Sequence, residues 1–356
     1  MEKKRIVVKI GSSSLTNAKG ELDYFKFHDH IGAIARLKQQ GHEVLLVSSG
    51  AVAAGFRKLG YSSRPVTLKG KQAAAAVGQS VLIQAYMSAF EQFGIIAAQV
   101  LLTRNDFSKK ERYKNAYATF SELLDRSVIP IINENDTVSI SELTFGDNDM
   151  LSALVSGLVH ADQLIILTDI NGLYDANPMK NPDAKRLDQL HEITDDMLGF
   201  ADGAGSKVGT GGMQSKLLAA RVALNFGVKT FIGTGQGTYK LTEILAGLGD
   251  GTYIEHDALK IVNTSKQWIS LAEISGKLFV DEGAKVALIE QGGSLLPVGV
   301  CAIDGIFQKG DVVAVYYNKE YLGRGEISYS SDEIRPLIGK RASDKPLIHR
   351  DQWVQI

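Results

Sequence analysis

Five short apolar runs rich in Val, Ile and Leu punctuate the first half of the chain, and they restrict the fold more than any other feature. They span Arg5 to Ile10, Glu43 to Val47, Ile95 to Leu102, Val128 to Ile132 and Gln163 to Leu167. Runs this apolar read as strands buried on both faces. Between them, apolar residues recur at helical spacing at roughly Tyr24 to Gln40, Lys71 to Phe93, Tyr113 to Leu124 and Met150 to Val159. Alternation of strand and helix predicts an α/β fold with a largely parallel sheet.

The ends of the strands matter next, because ligands in such sheets bind beyond the strands' carboxyl ends. The first run stops in Gly11-Ser12-Ser13-Ser14 with Lys9 beside it, and the second in Ser48-Ser49-Gly50. Small turns of this kind let backbone amides approach an anion, although a solvated lysine and a plain turn have the same sequence. The fourth run turns polar at Asn133-Glu134-Asn135-Asp136, and the fifth ends in Thr168-Asp169. After a hairpin-like excursion, Asp147-Asn148-Asp149 opens the next helix, where Asp or Asn serves as a cap. Asn133 to Asp136 and Asp147 to Asp149 are therefore expected to converge on one crevice. Its aspartates would orient a lysine, a metal or an ammonium group rather than take a phosphate directly. Ordinary turns and caps use the same residues.

A glycine-rich stretch, Gly203 to Lys216, precedes an amphipathic helix from Leu217 to Phe226. Its amides can wrap phosphates, with Lys216 in the first turn to reach them. It is neither a Walker A loop nor a dinucleotide fingerprint, and a surface linker is equally compatible with its composition. Beyond Lys277 the pattern changes to short β runs separated by glycine turns. The expected organisation is residues 1–256 as the larger domain, 257–276 as a connector and 277–356 as a small, mostly β domain.

A chain of 356 residues has room for both domains. Its net charge of −1 gives no global electrostatic pull toward nucleic acid or acidic membrane. No apolar run reads as a membrane span, and the basic start, Glu2 to Arg5, reads as the approach to a strand rather than a signal peptide. Cys301 is the only cysteine and cannot form an internal disulfide, so a reducing cytoplasm is the expected compartment.

The order Lys9-Ile10-Gly11-Ser12-Ser13, Ser48 to Gly55, Ile132 to Asp136, Gly146 to Asp149, Leu167-Thr168-Asp169 and Gly209 to Met213 strongly resembles the amino acid kinase family, and the tail from about Lys277 resembles a PUA domain. Singly these motifs are modest; their joint order and spacing are specific. The resemblance implies a three-layer αβα sandwich followed by a PUA-like domain. It further implies the branch in which ATP phosphorylates the side-chain carboxylate of L-glutamate to L-glutamyl 5-phosphate, the first step of proline biosynthesis. Sister kinases with another acceptor are the nearest alternative, and the Ser-Ser-Gly-Ala-Val-Ala-Ala-Gly and Ile-Asn-Glu-Asn-Asp stretches favour the glutamate branch over them.

By the same resemblance Lys9 and Lys216 flank the transferring phosphoryl group and Asp147 holds them in position. Ser49, Asp136 and Asn148 bind glutamate, supported by Asn133 and Glu134. The nucleotide is bound by Lys9, Gly11, Thr168, Asp169, Thr210, Gly211, Gly212, Met213, Gln214, Ser215 and Lys216. Magnesium is expected on ATP phosphates and water, with no all-protein metal site. The family also implies feedback inhibition by proline, a downstream glutamyl phosphate reductase and a homodimer or homotetramer. A rival reading makes the chain an RNA-binding or regulatory protein on a kinase-like scaffold. From Lys277 onward, however, ten Lys or Arg stand against eleven Asp or Glu, and a phosphate-backbone binder is distinctly basic.

Overall fold

The computed structural model describes residues 2–17, 19–138, 148–176, 178, 181–201, 212–256, 263–340 and 345–355. They form two compact units, Met1–Arg104 with Asn115–Ile261, and Asn105–Lys114 with Val262–Ile356.

The first unit holds an eight-stranded sheet. Its strands are β1 (Arg5–Ile10), β2 (Glu43–Ser48), β3 (Ala97–Leu102), β4 (Ile129–Glu134), β5 (Gln163–Leu167), β8 (Gln189–Leu190), β9 (Lys229–Gly233) and β10 (Gly251–Ile254). The spatial order is β3-β4-β2-β1-β5-β9-β10-β8, and β6 (Leu173–Tyr174) and β7 (Arg186–Leu187) form a separate small ribbon. Neighbours pair in parallel except β10 with β9. The chain leaves β1 toward β2 and later returns on its other side as β5, so strand order reverses beside β1. That reversal opens a crevice at the carboxyl ends of these strands.

Side chains alternate across a strand, and this divides the core. Ile6, Val8 and Ile10 of β1, with Val44 and Leu46, face a cluster containing Phe27, Ile31, Leu37, Leu82, Tyr86 and Phe90. These last come from α1 (Tyr24–Gln39) and α3 (Leu68–Glu91), which share that face with α9 (Lys240–Leu245). Val7 and Lys9 consequently point to the opposite layer, where α6 (Asn148–Leu158) packs on β1 and on α8 (Met213–Asn225). This is the expected three-layer sandwich, completed by α2 (Ala51–Gly55), most of α5 (Lys110–Asp125) and α7 (Asp195–Ala201).

Several elements begin or end beyond their sequence-based limits. β4 does not stop where the sequence turns polar: Asn133 and Glu134 continue it, because β3 pairs with it through Leu101 and Leu102. α3 starts at Leu68 because the Thr67 side chain caps it, accepting from the Gly70 N–H. At this length α3 is the one described helix that meets the length and composition of a membrane span, with a mean hydropathy of 1.2, contrary to the expectation of none. Its small residues serve close packing on α2. A Cβ on Gly78 would lie 1.7 Å from the Ala51 carbonyl oxygen, and one on Gly55 would lie 2.0 Å from that of Ala74. The two backbones are therefore in direct contact.

The second unit is a five-stranded sheet in the order β12-β11-β13-β14-β15. Its strands are β11 (Ile274–Val280), β12 (Val300–Gly305), β13 (Val312–Tyr317), β14 (Glu320–Glu326) and β15 (Trp353–Gln355), with helices α10 (Thr264–Leu271), α11 (Glu282–Ile289) and α12 (Ser331–Ile334). It has its own core of Leu278, Val280, Leu288, Leu295, Val313, Val315, Leu322 and Trp353. Residues 263–276, expected in a connector, hold α10 and the start of β11 in this unit. So does a segment early in the chain, which includes α4 (Asn105–Ser108) and the first residues of α5. There the Tyr113 hydroxyl donates to Gln267 at 3.1 Å, Trp268 Nε1 donates to the Ser108 carbonyl at 3.2 Å, and Lys110 pairs with Glu326.

Candidate active site

α6 is apolar almost all round, so nearly all of it is buried, including the polar residues of its first turn. Asp149 is 0% exposed and stands between two lysines from different elements, Lys9 at 1% and Lys216 at 7%. Lys9 Nζ pairs with Asp149 Oδ1, and Lys216 Nζ donates to Oδ2 at 3.0 Å. The Ser215 hydroxyl lies 3.0 Å from Oδ2 and 2.9 Å from the Gly212 carbonyl, and its single proton is shared between these two acceptors. Lys9 comes from the α6-facing side of β1 and Lys216 from the first turn of α8. A buried carboxylate thus fixes two ammonium groups at the end of the sheet, leaving the trio with net positive charge. The carboxylate expected in this position, Asp147, lies outside the described residues. Among the described residues Asp149, two positions on, touches both lysines.

Asn148 faces a different set of groups. Its amide donates to the Ser48 carbonyl at 2.8 Å, to Ser49 Oγ at 3.0 Å and to Asn133 Oδ1 at 2.8 Å. Asn133 Oδ1 also accepts from the Glu134 backbone N–H at 2.9 Å. The ends of β2, β4 and α6 are thereby tied together, uniting Ser49, Asn133, Glu134 and Asn148. Ser48 is anchored from below by the Tyr86 hydroxyl at 2.8 Å. Gly50, which must turn the chain into α2, takes φ +107°, a region that favours glycine. Asp136 follows β4 closely, and burial, then the charge of Glu134, pushes its carboxyl up from 3.8 to about 6. An arriving ammonium group would stabilise its ionised form.

At the anion end, Gly11 begins a loop closed by Ser14 N–H to Gly11 O at 3.2 Å and Leu15 N–H to Ser12 O at 3.1 Å. His30 Nε2 bonds the Ser14 carbonyl at 3.2 Å from behind. Burial, reinforced by the charge of Lys240, pushes that imidazole down to about 4. It is neutral at ordinary pH, and Nε2 is the donor. Gly212 opens α8 without a side-chain cap, so its first N–H groups are available to an anion. Thr168 is nearly buried and donates to Asp169 Oδ1 at 3.1 Å, while Asp169 itself is exposed. Met213 is buried in the unit, and Gln214 donates to the Leu198 carbonyl at 3.4 Å. Thr210 and Gly211 lie outside the described residues. Among the described residues no three His, Cys, Asp or Glu side chains gather as a metal site.

Sequence reasoning placed Asp147 to Asp149 in the crevice with its aspartates orienting a lysine and named Ser48 in the second turn, but it gave the lysines to Asp147, and it did not single out Tyr86 or Gln79, whose side chain touches Asn133. A signal for Asp149 exists in retrospect: Ser152 and Ser156 follow it on the same face of α6. Ser152 Oγ donates to the Asp149 carbonyl at 2.6 Å, and Ser156 Oγ to the Ser152 carbonyl at 2.7 Å. A stripe of small polar residues on an otherwise apolar helix marks the face turned toward a buried charge.

Residues 4–234 match the amino acid kinase family, and residues 276–345 match the PUA domain. The chain is 61% identical to glutamate 5-kinase 1 of Bacillus licheniformis and of Bacillus subtilis, over the full length of both partners. It is 55% identical to glutamate 5-kinase of Bacillus cereus, again over the full length of each. The fold is similar to that of a UMP kinase from Bacillus anthracis, with a TM-score of 0.50 at 15% identity, covering 73% of this chain and 99% of that one.

Proposed function

Because this chain belongs to the amino acid kinase family and resembles glutamate 5-kinases along its whole length, we propose that it transfers the γ-phosphoryl group of ATP to the side-chain carboxylate of L-glutamate. The product is L-glutamyl 5-phosphate, and the reaction opens proline biosynthesis. The observation that carries this reading is the first turn of α6, where Asp149 gathers Lys9 and Lys216 while the adjacent Asn148 joins the polar ends of β2 and β4.

The chemistry follows from that arrangement. A side-chain carboxylate oxygen attacks the γ-phosphorus, the bond to the bridging oxygen of ADP breaks, and ADP departs with the electron pair. The attacking carboxylate is already ionised at neutral pH, so no general base is needed. Positioning and positive charge are needed instead. Lys9 and Lys216 supply the charge, and the uncapped start of α8 and the Gly11 loop supply amides for the ATP phosphates. Asp136 receives the substrate ammonium, with Ser49 and Asn148 beside it. Thr168 and Asp169 contribute to the nucleotide end. Magnesium, when bound, draws negative charge from the phosphates. Both Asp149 oxygens are engaged by Lys9, Lys216 and Ser215, which suits a metal held by phosphates and water rather than by this carboxylate.

Proline shares the α-carboxylate and ammonium of glutamate but lacks the acceptor carboxylate, which suits it as a feedback inhibitor at the same end of the site. An acyl phosphate hydrolyses readily, so a reductase that consumes it is the expected partner. A cytoplasmic homodimer or homotetramer completes the proposal. The test is hydroxylamine trapping of acyl phosphate with L-glutamate, L-aspartate and N-acetyl-L-glutamate, alongside UMP-dependent ADP release, each with and without proline. Turnover confined to L-glutamate and reduced by proline is expected. Activity confined to another acceptor would move the function to a sister kinase.

A further inference from the structure

The glutamate end of the site is built from amides, and amides carry information in their orientation. Asn148 has two N–H protons, and three protein acceptors share them: Ser48 O, Ser49 Oγ and Asn133 Oδ1. Among the described residues its Oδ1 has no partner and is the group left for a ligand, so Asn148 reads a donor there. The Ser48 carbonyl holds this polarity from one side, and Asn133 supports it from the other only while it keeps its oxygen toward Asn148. If the Asn133 amide turned over, its NH2 would face the NH2 of Asn148, and the pair would repel.

The Glu134 backbone N–H opposes that reversal from one side of Asn133, donating to its Oδ1 at 2.9 Å, and one side chain opposes it from the other. Gln79 Oε1 accepts from Asn133 Nδ2 at 2.8 Å, which fixes the Asn133 nitrogen toward α3 and its oxygen toward Asn148. Asn133 is 3% exposed, so no bulk water replaces a lost partner there. Two features hold Gln79 in place. It follows Gly78, whose contact with the Ala51 backbone sets α3 against the turn that carries Ser48 and Ser49. It also lies seven residues, or two helical turns, before Tyr86, which holds Ser48 from the same helix face.

We propose that Gln79 is a positioning residue: through Asn133 it fixes the amide of Asn148 so that the acceptor pocket selects ligands bearing an α-ammonium donor. The inference rests on the activity proposed above. Gln79 touches neither reacting group, so its effect falls on recognition of the amino acid and leaves the phosphoryl-transfer machinery intact.

The test compares wild type with Gln79→Leu, which removes the acceptor, and Gln79→Glu, which retains one. Acyl phosphate formation is measured with L-glutamate and with glutarate, the same diacid without the amine. One neutral hydrogen bond corresponds to about a three- to tenfold change. Gln79→Leu should raise KM for L-glutamate by that factor and narrow the preference over glutarate, with KM for ATP and kcat within about twofold of wild type. Gln79→Glu should recover most of the lost affinity. An active wild type whose glutamate KM and glutarate preference survive Gln79→Leu would overturn this inference alone. So would a rise in both KM values with a lowered melting midpoint that Gln79→Glu fails to reverse, because that is the signature of a packing role. A wild type silent with L-glutamate would instead overturn the proposed activity, and this inference with it.

Discussion

Replacing Asp149 by Asn deletes one charge and almost no volume, and its consequences follow from the geometry. The carboxylate is fully buried and holds Lys216 at 3.0 Å on one oxygen and Lys9 on the other. A pair of unit charges at that separation attracts by about 5 kcal/mol at an effective dielectric constant of about 20. Much of this offsets the cost of desolvation, so the pair itself adds little net stability. Deleting one partner is different, because two buried ammonium groups are left facing each other without compensation, at a cost of about 3–5 kcal/mol. Asp149→Asn should therefore lower the melting midpoint, and nucleotide should restore part of the loss, since its phosphates supply the missing negative charge. Catalysis should suffer more. With neither lysine held where charge develops, kcat should fall about 100- to 1,000-fold, the range seen for loss of a preorganised donor. KM for glutamate should stay within about threefold.

The assay is hydroxylamine-trapped acyl phosphate at saturating ATP and L-glutamate, with Asp147→Asn measured in parallel. Both Asp149 ion pairs are left in place in that second variant, so the reasoning expects its kcat to fall less than that of Asp149→Asn. The reasoning would be refuted by an Asp149→Asn enzyme that keeps kcat within about threefold of wild type, or by a larger loss in Asp147→Asn.

Asp136, raised by burial and Glu134 from 3.8 to about 6, contributes stability that is present below pH 3.8 and lost as pH rises through 6, about 3 kcal/mol in all. Asp136→Asn should thus melt at higher temperature than wild type at pH 8 while binding glutamate worse, and wild-type KM for glutamate should climb as pH falls below 6. His30, lowered by burial and Lys240 from 6.5 to about 4, has the opposite sign: its contribution is full above pH 6.5 and disappears as pH falls through 4, again about 3 kcal/mol. Chemical denaturation of His30→Gln between pH 6.5 and 4 should show a shallower decline than wild type; an equal slope would remove His30 from the account. Gly78→Ala places a Cβ 1.7 Å from the Ala51 carbonyl oxygen. It should destabilise by about 3 kcal/mol, the upper end for overpacking, and raise the glutamate KM by displacing Gln79. A melting midpoint equal to wild type would show that the helices part without penalty.

The alternation of strands and helices was legible in the sequence because buried parallel strands must be apolar on both faces. The polar ends of those strands were legible for the complementary reason, since backbone and side chains there emerge from the sheet. What stayed hidden depends on matching distant faces. No local pattern shows that Asp149 meets both lysines, because that contact depends on how α6 is rotated against β1 and α8. Gln79 and Tyr86 sit in an alanine-rich helix that reads as packing surface, and only the register of α3 on β2 and β4 gives them polar partners. The second unit's share of residues 105–114 was likewise invisible, because Phe107 and Tyr113 look like residues of any amphipathic helix.

The first turn of α6 explains why two neighbouring residues can serve two different chemistries. Consecutive residues on a helix project about 100° apart. Asn148 can therefore reach across the ends of β2 and β4 while Asp149 reaches back toward β1 and α8. Under the proposed activity the helix start is a junction: neutral amides on one side would read the amino acid by donor and acceptor pattern, and the charged trio on the other would meet the phosphates. Neutral amides suit recognition because they discriminate by direction, whereas charges act over distance and would attract any anion. Separating the two by one residue keeps positive charge away from the α-ammonium end yet close to the side-chain carboxylate that attacks. A one-residue shift in this turn would break both sets of contacts, so the proposed activity makes the position of the α6 start in the sequence a requirement.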